Sequence, residues 1–366
     1  MNYYIIAGEA SGDLHASNLM KELKVLDANA HFRCWGGDLM KAQGAELVKH
    51  YKELAFMGFT EVLMNLRTIL NNIDICKKDI LQHKPDVLIL VDYPGFNLRI
   101  AEFAKAYNIK VFYYISPQIW AWKQSRVHKI KRVVDKMFVI LPFEKEFYKR
   151  FDMDVDFVGH PLLDAVSNYA SQSNTLSATS NKPIIALLPG SRKQEIATML
   201  PLMLAMKKQY IDYQFIIAGA PSQTKEYYQT FIADADVKIV FNETYQLLQK
   251  AEAALVTSGT ATLETALFNV PEVVCYKGGA ISYAIAKQLV KVKYISLVNL
   301  IMDKEIVTEL IQNELNETNL KTELDKLLNP FPRNIMLNNY VELRAKLGGA
   351  GASKKAAALM VKYLAE

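Results

Sequence analysis

Short, continuous apolar runs alternate with amphipathic stretches along most of the chain. The runs lie at residues 3–7, 87–91, 111–115 and 137–141 in the first half, and at 184–188, 215–218, 253–256 and 273–276 in the second. Helical spacing falls between them, at 13–24, 98–107, 195–208 and 260–268, and the Ala- and Lys-rich stretch 350–366 reads as a terminal helix. A strand that is apolar at every position is covered on both faces. Such strands alternating with helices predict parallel sheets of the α/β class. The stretch 167–181 breaks the pattern: it is Ser, Asn, Thr, Ala, Gln, Tyr and Leu without a charge, and the strand pattern restarts after Pro183. We therefore expect a Rossmann-like domain over 1–166 and a linker or mobile loop over 167–182. A second Rossmann-like domain is expected over 183–345, followed by a helix over 346–366 that packs back on the first domain or on a partner. The two parallel sheets are expected to face each other across a cleft.

Composition narrows the class. With 366 residues, 51% hydrophobic and 22% charged, the chain can fill two cores, which excludes disordered, collagenous and disulfide-stapled classes. The 43 basic against 38 acidic residues give +5, compatible with phosphates or an anionic membrane surface but no mark of a nucleic-acid binder. Cys34, Cys76 and Cys275 are far apart and form no CxxC, which fits a reducing compartment. The six histidines show no HxxxH or HExxH spacing, so no metal site is predicted. No targeting segment is read at the N-terminus, and no apolar run approaches the ~18 residues of a membrane span. The expectation is a cytoplasmic protein whose membrane contact is peripheral.

Four strand-to-helix turns are candidates for chemistry, each with a plainer structural reading beside it. Gly8-Glu9-Ala10-Ser11-Gly12-Asp13 lies at a strand end of the kind where open α/β sheets bind ligands, and its glycines admit close backbone approach. A helix capped by Ser11 or Asp13 would need the same residues. It is not GxGxxG, which disfavours a dinucleotide. In Val91-Asp92-Tyr93-Pro94-Gly95-Phe96-Asn97, Asp92 ends a buried-type strand. A partly dehydrated carboxylate there is suited to take a proton from a hydroxyl, or else it binds turn amides. Leu188-Pro189-Gly190-Ser191-Arg192 offers helix-start N–H groups and a bidentate guanidinium to a diphosphate. The plainer reading is that Arg192 is a solvated first-turn residue, but an arginine at a helix start is unfavourable unless an anion sits beside it. In Thr257-Ser258-Gly259-Thr260-Ala261-Thr262-Leu263-Glu264 the start is again anion-friendly, and Glu264 stands one turn in, able to accept both hydroxyls of a ribose. The plainer reading is an N-cap and an acidic first turn.

Two further stretches point to lipid. Residues 54–59, with Phe56, Met57 and Phe59, suit membrane insertion or acyl binding, or else a core beneath a loop. Trp120 and Trp122 follow the run 111–115, where aromatics could floor a sugar or sit at a lipid interface, and residues 123–150 hold nine Lys or Arg against three Asp or Glu, a local +6. That patch suits anionic lipid or a phosphorylated substrate, or is a solvated basic helix beside buried Trp. His160, in Gly159-His160-Pro161, reads as a satisfied hinge histidine.

Taken in order, Gly8 to Asp13, Ser116-Pro117 with Trp120-Ala121-Trp122, Leu141-Pro142-Phe143-Glu144, Gly159-His160, Leu188 to Arg192 and Ser258 to Glu264 resemble the lipid-A-disaccharide synthases, glycosyltransferase family 19, from about residue 3 to about 315. The resemblance implies a GT-B-type fold and an inverting transfer needing neither metal nor cofactor. It implies UDP-2,3-diacylglucosamine as donor, 2,3-diacylglucosamine 1-phosphate (lipid X) as acceptor, and the β-1,6 disaccharide 1-phosphate and UDP as products. The setting would be lipid A and lipopolysaccharide biosynthesis at the cytoplasmic face of a Gram-negative inner membrane, with no nucleic-acid partner. It implies Asp92 as the base, Arg192 as the phosphate contact, Asn299 (in Ser296-Leu297-Val298-Asn299-Leu300) as an important site residue and Glu264 as the ribose contact. Gly8, Glu9, Ser11, Gly12, Asp13, Gly190, Ser191, Ser258, Gly259 and Thr260 would line the substrates, and Phe56, Met57 and Phe59 would meet membrane or acyl chains. A homodimer through the C-terminal region is also implied. Val298 stands where the family has Pro, and Tyr93 and Gly95 replace Ala and Asp of its Asp-Ala-Pro-Asp-Phe-Asn turn. The rivals are another GT-B enzyme on a UDP-sugar, an epimerase or a peptidoglycan-precursor transferase, and a non-enzymatic nucleotide-binding or membrane-associated module.

Overall fold

Among the described residues, thirteen strands form two sheets, every pairing of which is parallel. The computed structural model describes residues 1–54, 66–170, 182–232, 237–279 and 292–366. The chain divides into two compact units, one of residues 1–164 with 348–366 and one of residues 165–347.

The first unit holds β1 (Asn2–Ala7), β2 (His31–Gly36), β3 (Glu46–His50), β4 (Val87–Val91), β5 (Lys110–Tyr114), β6 (Lys136–Val139) and β7 (Asp156–Phe157), in the order β3-β2-β1-β4-β5-β6-β7. The second holds β8 (Ile184–Leu188), β9 (Gln214–Gly219), β10 (Lys238–Phe241), β11 (Ala251–Thr257), β12 (Glu272–Tyr276) and β13 (Thr308–Ile311), in the order β10-β9-β8-β11-β12-β13. Both orders reverse once, between β1 and β4 and between β8 and β11. Loops at the carboxyl ends of such a pair diverge to opposite faces, which opens a crevice for a ligand.

All eight apolar runs are strands, with ends shifted by at most a few residues, because each is buried along nearly its whole length. Of the strands outside those runs, β3, β10 and β13 are partly covered edge strands, whereas β2 is an inner strand of the first sheet. The helix expected at 98–107 runs over Pro94–Ala106, since Pro is well placed in a first turn.

The helix Pro161–Ala170 runs into the stretch read from sequence as a linker, and residues 171–181 lie outside the described residues. The terminal helix Ala352–Ala365 packs on the helix Ala10–Leu26 of the first unit, burying Ala352, Ala356, Ala357 and Met360. Asp164 fastens its start by accepting from the backbone N–H groups of Gly351, Ala352 and Ser353 at 2.5, 3.3 and 2.9 Å.

Candidate active site

In the first unit the reversal point is built from two turns. Ala7 is paired with Val91, so Gly8 and Asp92 leave the sheet side by side. Gly8 is required there: a Cβ on it would lie 2.4 Å from atoms of the Tyr93 ring. Asp92 and Tyr93 are both left-handed, with φ of 45° and 48°. Two successive non-glycine residues in that region are strained and persist only where the surroundings hold them. Here the Asp92 carbonyl accepts from the Tyr113 hydroxyl at 2.5 Å and from Asn97 Nδ2 at 2.6 Å, while Tyr93 donates its hydroxyl to the Leu54 carbonyl at 3.0 Å. Asn97 and Tyr113 are fully buried.

The clamp fixes the backbone at Asp92, and its carboxyl takes one backbone hydrogen bond, from Tyr93. Burial, and secondly the negative charge of Glu9, push its pKa up to about 7. A carboxylate of that basicity is matched to proton abstraction near neutral pH.

Two residues of the first motif are placed differently from expectation. The helix begins at Ala10 with Glu9 as its N-cap, so neither Ser11 nor Asp13 caps it. Asp13 is 3% exposed and is spent inside the scaffold. Its Oδ1 accepts from the N–H groups of Gly37 and Met40 at 2.8 and 3.1 Å, and its Oδ2 from Leu39 at 3.1 Å. It caps the neighbouring helix Asp38–Ala42, tying the turn after β1 to the turn after β2. Ser11 is exposed and Gly12 buried. His160 is buried and its Nδ1 accepts from the Leu162 amide at 3.2 Å; burial, then the nearby His15, lowers its pKa to about 3. Of the two tryptophans, Trp120 is buried edge-on to Phe143, and Trp122 is half exposed with Lys123 and Arg126 over its ring at 5.7 and 5.2 Å. Phe56, Met57 and Phe59 lie outside the described residues.

In the second unit Val256 is paired with Leu188, which again sets two turns side by side. Gly190 takes φ 100°, and a Cβ there would lie 2.7 Å from Glu195 Oε2. The tight turn aims the start of the helix Lys193–Ala205 at that oxygen, which accepts from the N–H groups of Ser191 and Arg192 at 3.2 and 3.3 Å. Arg192 Nη1 reaches Glu195 Oε1 at 3.1 Å. Two backbone donors and a guanidinium thus converge on a carboxylate of the chain itself, the donor set a phosphate would use. On the paired turn, Gly259 and Thr260 are exposed at the start of the helix Thr260–Leu267. The Ser258 hydroxyl donates to the Ile295 carbonyl at 3.1 Å. Glu264 faces Tyr245, whose hydroxyl donates to its Oε1 at 3.0 Å, and burial pushes the Glu264 pKa up to about 7.

Asn299 is fully buried. Its Nδ2 donates to the Val307 carbonyl and to Glu309 Oε1 at 2.8 and 2.9 Å, and its Oδ1 accepts from the Ile306 and Val307 amides at 2.8 and 3.1 Å. Glu309 also accepts from Ile295, Ser296 and the Ser296 hydroxyl. Asn299 is thus joined through Glu309 to the loop whose Ile295 carbonyl accepts from Ser258. Of the supporting residues Asn97, Tyr113, Tyr245 and Glu309, only Asn97 carries a signal in the sequence, as part of the Asp92 turn. Among the described residues no three His, Cys, Asp or Glu side chains gather as metal ligands would, and no helix is long and apolar enough to cross a membrane.

The lipid-A-disaccharide synthetase family model matches residues 3–361. A lipid-A-disaccharide synthase of Syntrophus aciditrophicus is 41% identical, covering 97% of this chain and 96% of its own. That of Geobacter metallireducens is 39% identical over 98% and 96%. Among solved structures, the UDP-GlcNAc 2-epimerase of Neisseria meningitidis, bound to UDP-GlcNAc, is similar in fold at a TM-score of 0.67 and 13% identity, covering 99% of this chain and all of that one. The glycosyltransferase of kitacinnamycin is similar at a TM-score of 0.66 and 14% identity, covering 99% of each.

Proposed function

The chain belongs to the lipid-A-disaccharide synthetase family, and we propose that it joins UDP-2,3-diacylglucosamine to lipid X, releasing UDP. Asp92 takes the proton of the acceptor 6-hydroxyl as that oxygen attacks the anomeric carbon. The bond from that carbon to the diphosphate breaks on the opposite side, so the configuration inverts. Arg192 and the helix start beside it take up the charge on the departing UDP. Glu264 holds the ribose. The observation that supports this reading best is Asp92: a carboxyl at the reversal point of the first sheet, clamped through its own carbonyl and poised near neutrality.

The testing experiment is an assay in detergent micelles with both lipid substrates, run in EDTA and in Mg²⁺, following UDP and lipid product. Disaccharide phosphate is expected at equal rates in both. Turnover of a soluble UDP-sugar, with no need for acyl chains, would replace this reading with an epimerase or another UDP-sugar enzyme.

The substrates are amphiphiles, and an anionic leaflet is their source. Trp122 with Lys123 and Arg126 is an aromatic and basic surface of the kind that settles at such an interface. Trp122→Ala combined with Lys123→Gln is expected to weaken sedimentation with phosphatidylglycerol vesicles roughly tenfold. Unchanged sedimentation would remove this surface from membrane docking.

A further inference from the structure

Tyr245 is the second residue of the helix Thr244–Lys250 in the second unit. No motif marked it, and the reaction as described makes no use of it. Its ring is held edge-on to Tyr169 at 5.4 Å and tilted against Phe268 at 4.9 Å, so its position is fixed by packing on two sides. Its hydroxyl, at the end of that rigid body, donates to Glu264 Oε1 at 3.0 Å. A phenol directed at one oxygen of a partly buried carboxyl orients both oxygens, because the group is planar.

We propose that Tyr245 is a positioning residue for the nucleotide, holding the Glu264 carboxylate so that its second oxygen and its remaining lone pair accept the two ribose hydroxyls. The proposal rests on Glu264 as the ribose contact. A diol donates two hydrogen bonds and is best met by an ionised carboxylate, which has about four acceptor sites. Burial works against the ionised form at Glu264, and the Tyr245 hydrogen bond works for it. Removing the hydroxyl leaves the acceptor less charged and free to turn, a loss felt only by a ligand that has the diol.

The test is titration calorimetry of UDP and of 2′,3′-dideoxyuridine diphosphate against the whole protein, Tyr245→Phe and Glu264→Gln. Phenylalanine keeps both ring contacts, so the fold is preserved. The parent is expected to prefer UDP by roughly 30-fold, and Tyr245→Phe to lose about tenfold in UDP affinity. Affinity for the dideoxy compound should stay unchanged, which also reports that the variant is folded. Glu264→Gln should show the smallest preference of the three. If Tyr245→Phe keeps the full preference, or weakens both ligands equally, Tyr245 is a packing residue and the proposal is overturned. If the parent itself does not distinguish the two ligands, the ribose role of Glu264 fails first and Tyr245 falls with it.

Discussion

Asp92→Asn is expected to lower turnover by about 10³-fold or more while UDP affinity stays as it was. The substitution is close to isosteric, asparagine is tolerated in the left-handed region, and its carbonyl can still accept from the Tyr93 amide. The turn, its clamp by Asn97 and Tyr113, and the Gly8 contact are all retained. What disappears is the basic site. The measurement is kcat with both lipid substrates beside UDP titration of the same preparation. Retention of full activity would take the base role from Asp92.

The pH dependence sharpens the same experiment. As the proposed base Asp92 must be a carboxylate, and burial, then Glu9, lift its pKa from the usual carboxylate range to about 7. Activity should therefore fall on the acid side through about pH 7 rather than through pH 4, with the limb absent from any residual activity of the Asn variant. Stability should move the other way. A carboxyl whose folded pKa is raised favours the fold fully only below its unfolded pKa, and that contribution is lost as pH rises through the folded value. At pH 8 the parent holds an ill-solvated anion and a left-handed pair of residues at one turn. Asp92→Asn should melt at a higher temperature than the parent there, with the gap closing as the pH falls towards about 4. Loss of activity joined to a gain in stability is what a site held against its own preference predicts.

The reversal points were legible because they depend on short-range pattern. β1, β4, β8 and β11 are nearly unbroken apolar runs, and the glycines and charged residues that follow them mark where each strand stops. What the pattern could not convey is which side chain a charged residue meets. Asp13 sits in a motif that reads as ligand-binding, yet its partners are Gly37, Leu39 and Met40, residues brought near only by the pairing of β1 with β2. Asn299 likewise spends its amide on residues 306 to 309, across a turn that no local rule specifies. Trp120 and Trp122 are two positions apart, yet the first is buried edge-on to Phe143 and the second is half exposed, a difference set by packing and not by local sequence. Tyr245 carried no signal, because a tyrosine at a helix start is as ordinary in a core as beside a ligand.

Arg192→Ala is expected to lower kcat by about 10²- to 10³-fold, with a smaller rise in the donor KM. The reason lies in when the charge appears. Bound UDP-sugar is already anionic, and the helix start with its Ser191 and Arg192 amides can hold it. As the anomeric carbon parts from the diphosphate, a further negative charge builds on the oxygen that leaves, and a guanidinium at that oxygen binds the transition state more tightly than the ground state. Glu195 now occupies the same donors, with Oε1 at 3.1 Å from Arg192 Nη1. A diphosphate must displace that carboxylate or turn the guanidinium from it, which it can do because Arg192 is exposed and an ion pair open to water is weakly held. Arg192→Lys should recover part of kcat, since it restores the charge without the two-pronged geometry that suits a phosphate. A raised KM with kcat intact in Arg192→Ala would make Arg192 a ground-state anchor, and would move the stabilisation of departing UDP to the exposed helix start at Gly259 and Thr260.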